Sequence, residues 1–195
     1  HRNNHEILKV FTDGLLAVCE GQAIDKEFET QKHVSVDDYI KMIDLKTGYL
    51  IGMAAELGAL SITEDDNYYI ALREYGYIVG RAFQIQDDLL ELYSDAKQMG
   101  KSLDSDYLLG KKTYPLLKIK EKYNQELASA IKVAGNNVKL GKELICGILE
   151  KTGIKTEIQK LIQKMILEAN QLLIDNGLFT SQIEKFSALI KNRRK

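Results

Sequence analysis

Pro115 is the only proline in a chain of 195 residues. Proline removes a backbone donor and clashes inside a helix, so its scarcity leaves nearly the whole sequence open to long helices. Leu, Ile, Lys, Glu and Ala are abundant and favour or tolerate that state. No segment shows strand-like alternation bounded by turn residues. The expected fold class is all-α, a single helical domain over residues 1–195. Hydrophobic residues make up 45% of the chain, enough for a real core.

The apolar periodicity divides the chain into helices. Ile7, Val10, Phe11, Leu15 and Val18 recur at helical spacing over residues 5–19. A second helix opens at SVDDY, with Ser35 as N-cap and Asp38 completing a capping-box variant, and runs to about Leu60. A third opens near Thr63 and Glu64 and ends on FQIQDDLLELYSD, residues 83–95. Gly76 and Gly80, four apart, allow close helix packing. Residues 96–112 break the periodicity with Gly, Ser and Asp, and long loops of this kind are often functional. Pro115 fits the first turn of a further helix. The spacing predicts four helices after it, over 116–133, 138–151, 154–175 and 182–192, with no unusual polar residue on their apolar faces.

The charge balance narrows the partners. Net charge is −1, which does not suggest a nucleic-acid binder. No stretch is long and apolar enough to span a bilayer, and no secretory or transit segment is visible, so a cytoplasmic chain without stable membrane insertion is expected. Cys19 and Cys146 fit no metal or redox spacing and read as buried small residues in a reduced compartment. The chain begins with His1 rather than Met, as expected of a tag remnant or a piece of something longer.

The polar residues that interrupt apolar faces carry the chemistry. Asp87, Asp88 and Glu91 crowd one helix, although like charges at helical spacing repel. Gln84 lies one turn before them. Lys46 and Thr47 sit inside the second helix, Gln22 and Asp25 close the first, and Lys101, Asp106, Lys111 and Lys112 lie in the irregular segment. Each feature alone has a plain reading: a solvated acidic face, a back-bonded threonine, a helix-end pair, a solvated loop. Together they suggest Mg²⁺, a hard cation held by one or two carboxylates plus substrate phosphates, with lysines as further phosphate partners. No histidine or cysteine cluster supports zinc or a nucleophilic triad.

Four ordered elements give this pattern a family. FQIQDDLLE (83–91) resembles the second aspartate-rich motif of the trans-isoprenyl diphosphate synthases, or polyprenyl synthetases. GQAID (21–25), KTGYL (46–50) and GKSLDSDYLLGKKTYP (100–115) resemble that family's accompanying elements. The resemblance implies the isoprenoid synthase helical bundle and head-to-tail prenyl transfer, in which isopentenyl diphosphate attacks the cation formed by an allylic diphosphate. It implies Mg²⁺ on Asp87, with Asp88 and Glu91 completing the acidic set and Asp25 and Asp106 in support. It implies diphosphate contacts from Gln22, Lys46, Lys101 and Lys111, and a developing cation faced by Thr47 and Gln84. It also implies a homodimer.

Two departures qualify the resemblance. Glu91 stands where the family has aspartate. The family's earlier DDxxD motif is absent before residue 83: Asp37-Asp38 runs into Tyr-Ile-Lys, and Asp65-Asp66 into Asn-Tyr-Tyr. The chain therefore reads as the C-terminal portion of such an enzyme, with N-terminal helices missing and no activity expected of the fragment alone. A non-catalytic synthase-like subunit of a heteromeric enzyme is the alternative. A terpene cyclase is the third reading, without the metal motif that those enzymes carry.

Overall fold

The computed structural model describes residues 4–63, 65–93 and 112–191, and all regular structure among them is helical, as expected. The helices are α1 (Asn4–Thr30), α2 (Val36–Ile43), α3 (Tyr49–Leu60), α4 (Asp66–Leu92), α5 (Tyr114–Lys122), α6 (Asn124–Ala134), α7 (Val138–Lys151), α8 (Ile154–Asp175) and α9 (Ser181–Lys191). Among the described residues, no helix is long and apolar enough to cross a membrane.

Helix α4 is the central element, packed along α3 on one side and α8 on the other. Its Val79, Ala82 and Ile85 are fully buried. Opposite them, α8 presents Ile154, Ile158, Ile162, Ile166, Ala169 and Leu173, a run of three- and four-residue steps that keeps one face inward. Ile119 of α5 and Ile145 and Leu149 of α7 close the core. Each such buried aliphatic side chain contributes about 1.5–3 kcal/mol.

Local signals operate where the sequence places them. Ser35 Oγ accepts from the Asp38 N–H at 3.0 Å, and the Ser35 N–H donates to Asp38 Oδ2 at 3.1 Å, completing the capping box. Pro115 occupies the first turn of α5, where no intrahelical donor is lost.

The structure departs from the sequence expectations in five places. The first helix continues to Thr30, through GQAID. Its Phe11 and Leu15, expected in the core, are 44% and 42% exposed; Gly14, Ala17, Gly21 and Phe28 form the buried face instead. The second helix contains a π-helical turn at Asp44–Gly48, which separates α2 from α3. The helix expected over 116–133 breaks at Tyr123 (φ −137°, ψ 45°), so among the described residues five helices, not four, follow Lys112. Tyr123 keeps both of its own backbone bonds across the break: its N–H donates to Ile119 and its carbonyl accepts from Leu127. The break lets the half-buried Tyr123 ring pack against the core.

The later helices do carry polar residues inward, the fourth departure. Lys142 is 7% exposed and Ser187 1%. Ser187 Oγ lies 2.9 Å from the Tyr75 hydroxyl and donates to Asn170 Oδ1 at 2.7 Å, tying α9 to α4 and α8. Fifth, Cys19 is exposed rather than buried, because the inward stripe of α1 passes through its glycines; Cys146 is half-buried.

The seam between α3 and α4 depends on glycine. A Cβ on Gly76 would lie 2.6 Å from Gly52 Cα, and one on Gly80 2.8 Å from Gly48 Cα, so the backbones meet as the four-residue spacing suggested. Gly147, in the middle of α7, has nothing within 4 Å of its Cβ position. Gly76→Ala should therefore destabilise the chain by about 1–3 kcal/mol through overpacking, despite the better helix propensity of alanine. Gly147→Ala should be neutral or stabilising by up to about 1 kcal/mol. Urea unfolding of both variants checks this; equal effects would show that the seam is not closed.

Candidate functional site

The site begins where α1 and the π turn touch. A Cβ on Gly21 would sit 2.4 Å from the Lys46 backbone nitrogen, so only glycine allows the two segments this close. One turn along α1, Asp25 Oδ2 accepts from Lys46 Nζ at 2.6 Å, both side chains about one-third exposed. In the π turn the Tyr49 N–H reaches back five residues to the Asp44 carbonyl. Consecutive residues of this turn meet different neighbours: Lys46 meets α1, and Thr47 meets α4, where its hydroxyl donates to Gln84 Oε1 at 3.2 Å. On the same turn, Asp44 accepts from Arg81, with Nε to Oδ1 at 2.6 Å and a second bond from Nη2.

From Gln84 a polar chain runs into the core. Its Nε2 donates to Asp88 Oδ1 at 3.2 Å. Asp88 Oδ2 accepts a short hydrogen bond from the Tyr39 hydroxyl of α2 and another, at 3.0 Å, from the Tyr114 N–H at the start of α5. The Tyr39 and Tyr114 rings pack with centroids 6.2 Å apart. Asp88 is 6% exposed and Tyr39 2%. Burial raises the Asp88 carboxyl to about 6, the three donors pull it down, and neighbouring Glu91 pushes it up. Burial first, and then the Asp88 charge, raise the Tyr39 hydroxyl well above its ordinary value, so it stays a donor.

Asp87 and Glu91 lie one turn apart and are half-buried. Near them, Lys142 Nζ donates to the Glu91 carbonyl at 2.9 Å, placing a buried cation at the C-terminal end of α4. Among the described residues, no three Asp, Glu, His or Cys side chains gather as a metal cage. The expected trio of Asp87, Asp88 and Glu91 is thus split: Asp88 turns inward with both oxygens accepting protein hydrogen bonds, and Asp87 and Glu91 remain at the surface of the site. The donor set they offer, two hard oxygens on adjacent turns, fits a cation of the Mg²⁺ type that completes its shell with phosphate and water.

The structure joins Lys46 to Asp25 and Thr47 to Gln84 and Asp88. Gln22 lies on the exposed face of α1, and Lys112 is half-buried. Lys101, Asp106 and Lys111 lie outside the described residues. Sequence reasoning missed Tyr39, Tyr114, Asp44, Arg81 and Lys142. Tyr39 had a usable signal: a tyrosine at an apolar helix position buries a hydroxyl that needs a partner.

Comparisons with known proteins bear on the family and the fold. The family model for polyprenyl synthetase matches residues 1–146. The chain is 41% identical over 113 residues to a short chain isoprenyl diphosphate synthase of Methanocaldococcus jannaschii, a match covering 58% of this chain and 34% of that protein. Its fold is similar to the crystal structure of geranylgeranyl pyrophosphate synthetase from Pyrococcus horikoshii, with TM-score 0.82 and 32% identity, over 97% of this chain and 59% of that one. It is also similar to a polyprenyl synthase from Caulobacter crescentus complexed with calcium and isoprenyl diphosphate, with TM-score 0.80 and 25% identity, over 97% of this chain and 60% of that one. The chain spans about a third of the length of the first of these relatives and three-fifths of the other two.

The raised Asp88 carboxyl has a consequence for stability. The group titrates near 6 when folded, against 3.8 as its ordinary value. Between those values the folded chain holds a proton that the unfolded chain has lost, so stability falls as pH rises through this window. With a chelator present, the wild type should lose about 2 kcal/mol relative to Asp88→Asn between pH about 4.5 and 7. Chemical denaturation at the two pH values measures it. A wild-type-minus-variant difference that is constant with pH would show that the buried carboxyl ionises as freely as an exposed one.

Proposed function

Since this chain belongs to the polyprenyl synthetase family, we propose that it carries the second-aspartate-motif half of a Mg²⁺-dependent prenyltransferase site. The reaction is condensation of isopentenyl diphosphate with an allylic prenyl diphosphate. The observation that carries the reading is that the π turn and the last turns of α4 bring one lysine, two neutral polar side chains and a pair of partly buried acids into an otherwise apolar bundle, with Asp25 of α1 on the lysine. Lys46 is held by Asp25, Thr47 is bonded to Gln84, and Asp87 and Glu91 stand on the last turns of α4.

In this reading Asp87 and Glu91 hold the cation, and Lys46 contacts diphosphate oxygens, as do Gln22, Lys101 and Lys111. Asp106 supports the acidic set. A divalent cation, when bound, supplies neutralisation of the charge that develops on the leaving diphosphate. The allylic C–O bond breaks and both electrons leave with the diphosphate. The double bond of isopentenyl diphosphate then attacks the cation, and a proton is lost to restore the alkene. Thr47 Oγ1 and Gln84 Oε1 offer negative dipole ends to the developing cation. Asp25 acts by keeping the Lys46 ammonium at its station. The apolar bundle keeps water from the cation.

The names of the Methanocaldococcus and Pyrococcus relatives support a short-chain product. A homodimer is supported by the row of Leu8, Phe11, Leu15 and Leu16 on α1, each more than two-fifths exposed. An interface is the usual use of such a row.

The test is steady-state prenyl transfer by the full-length protein across a Mg²⁺ titration. Asp87→Asn should lower kcat by about two to three orders of magnitude and weaken Mg²⁺-dependent pyrophosphate binding, because a charged ligand is lost. Glu91→Gln should lose less. Turnover near wild type in Asp87→Asn would remove that residue from the cation site. No turnover from the wild type at any Mg²⁺ concentration would favour the non-catalytic subunit.

A further inference from the structure

The Tyr39–Asp88 pair lies behind the site rather than in it, and none of the residues it buries touches substrate in the proposed reaction. Its position in the hydrogen-bond chain nevertheless decides which way the Gln84 amide faces. A primary amide has one accepting end and one donating end, and the two can exchange by a half-turn of the side-chain torsion. Asp88 Oδ2 is filled by two donors from other elements, the Tyr39 hydroxyl and the Tyr114 N–H. With those donors in place the carboxylate is an acceptor only, so its other oxygen takes Gln84 Nε2. The Gln84 oxygen is thereby turned to the opposite side, where it meets Thr47 Oγ1 at 3.2 Å.

We infer that Tyr39 is a positioning residue: acting through Asp88, its hydroxyl fixes the Gln84 amide with its oxygen toward the reacting centre. The inference rests on the prenyl-transfer reading, because it assigns the oriented oxygen to the cation of that reaction. It also gives the two adjacent aspartates separate duties. Asp87 stays on the surface of the site, and Asp88 faces α2 and the start of α5. The Tyr114 N–H adds a further link, since it anchors the residues that follow the irregular segment to the same carboxylate.

A residue that only supports the fold would lower the population of working enzyme. A residue that orients Gln84 acts on an interaction made in the transition state, so kcat falls while KM is kept. Tyr39→Phe preserves the ring that packs on Tyr114 and removes only the hydroxyl. In the full-length protein with Mg²⁺, normalised to active sites, it should lower kcat about tenfold and leave KM for both diphosphates within about twofold.

The decisive measurement is a double-mutant cycle with Gln84→Leu, in which no amide is left to orient. There the same Tyr39→Phe change should cost less than about twofold. Asp88→Asn, taken through the same cycle, should show the same loss of effect and serves as the second route should Tyr39→Phe fold poorly. An unchanged kcat in Tyr39→Phe, or an equal fold-loss in both Gln84 backgrounds, overturns the inference. Asp87→Asn run in parallel keeps the two claims apart. If Asp87→Asn abolishes transfer and Tyr39→Phe does not affect it, the positioning role fails alone. If the wild type transfers no prenyl group, the reaction reading fails and takes the positioning role with it.

Discussion

One buried carboxylate organises the functional end of this bundle. Asp88 sits on the central helix with donors from α2, from the start of α5 and from its own preceding turn. An ionised carboxylate in an apolar interior is costly unless its lone pairs are filled. Three donors offset much of that cost and leave a carboxyl that still titrates high, near 6. Because the donors come from separate elements, the same bonds that make the charge tolerable also fix where those elements stand. The side chain of Tyr39 and the backbone of Tyr114 can be satisfied only with α2 and α5 seated on α4.

The second constraint is backbone proximity. The contacts of Gly52 with Gly76, Gly48 with Gly80 and Gly21 with the π turn bring three segments nearer than side chains would permit. Without the third contact, Asp25 could not reach Lys46. Without the π turn, Lys46 and Thr47 would lie a normal helical step apart, and their present partners on α1 and α4 would need a different rotation of the helix. The π turn shifts the register of the helix at the two residues that meet α1 and α4. The glycines and the π turn therefore belong to the site as much as the charged residues do.

Much of this was legible in the sequence, for identifiable reasons. Helix boundaries at Ser35 and Pro115 rest on local chemistry that no distant contact overrides. The α8 pattern of Ile154, Ile158, Ile162 and Ile166 states its own buried face. The pairing of Lys46 with the GQAID aspartate, and of Thr47 with Gln84, joins residues already singled out as polar interruptions of apolar faces. The π turn was not legible, because one extra residue in a turn leaves the apolar pattern readable as continuous helix. Tyr123 was missed because its break retains both hydrogen bonds. Tyr39, Lys142 and Ser187 were missed for a shared reason: each is a polar group whose partner lies 17 or more residues away in sequence. Phe11 and Leu15 were misplaced because periodicity gives a helix an apolar face but not what covers it.

The placement of the acids also bears on why they are there. Asp87, Asp88 and Glu91 occupy the C-terminal turns of α4, where the helix field is already negative. For stability this is the wrong end: each acid there costs a few tenths to about 1 kcal/mol when exposed, and neighbouring acids repel as well. The fold answers part of that field from within. Asp88 is filled by neutral donors, and Lys142, nearly buried on α7, donates to the Glu91 carbonyl. Asp87 and Glu91 stay partly buried at the end of the helix where its field is negative. In the proposed reading this is the field that holds the cation. A sequence selected for stability alone would carry lysine or alanine at these positions. In the proposed reading Asp88 serves the fold, and Asp87 and Glu91 are kept for the cation they hold rather than for stability.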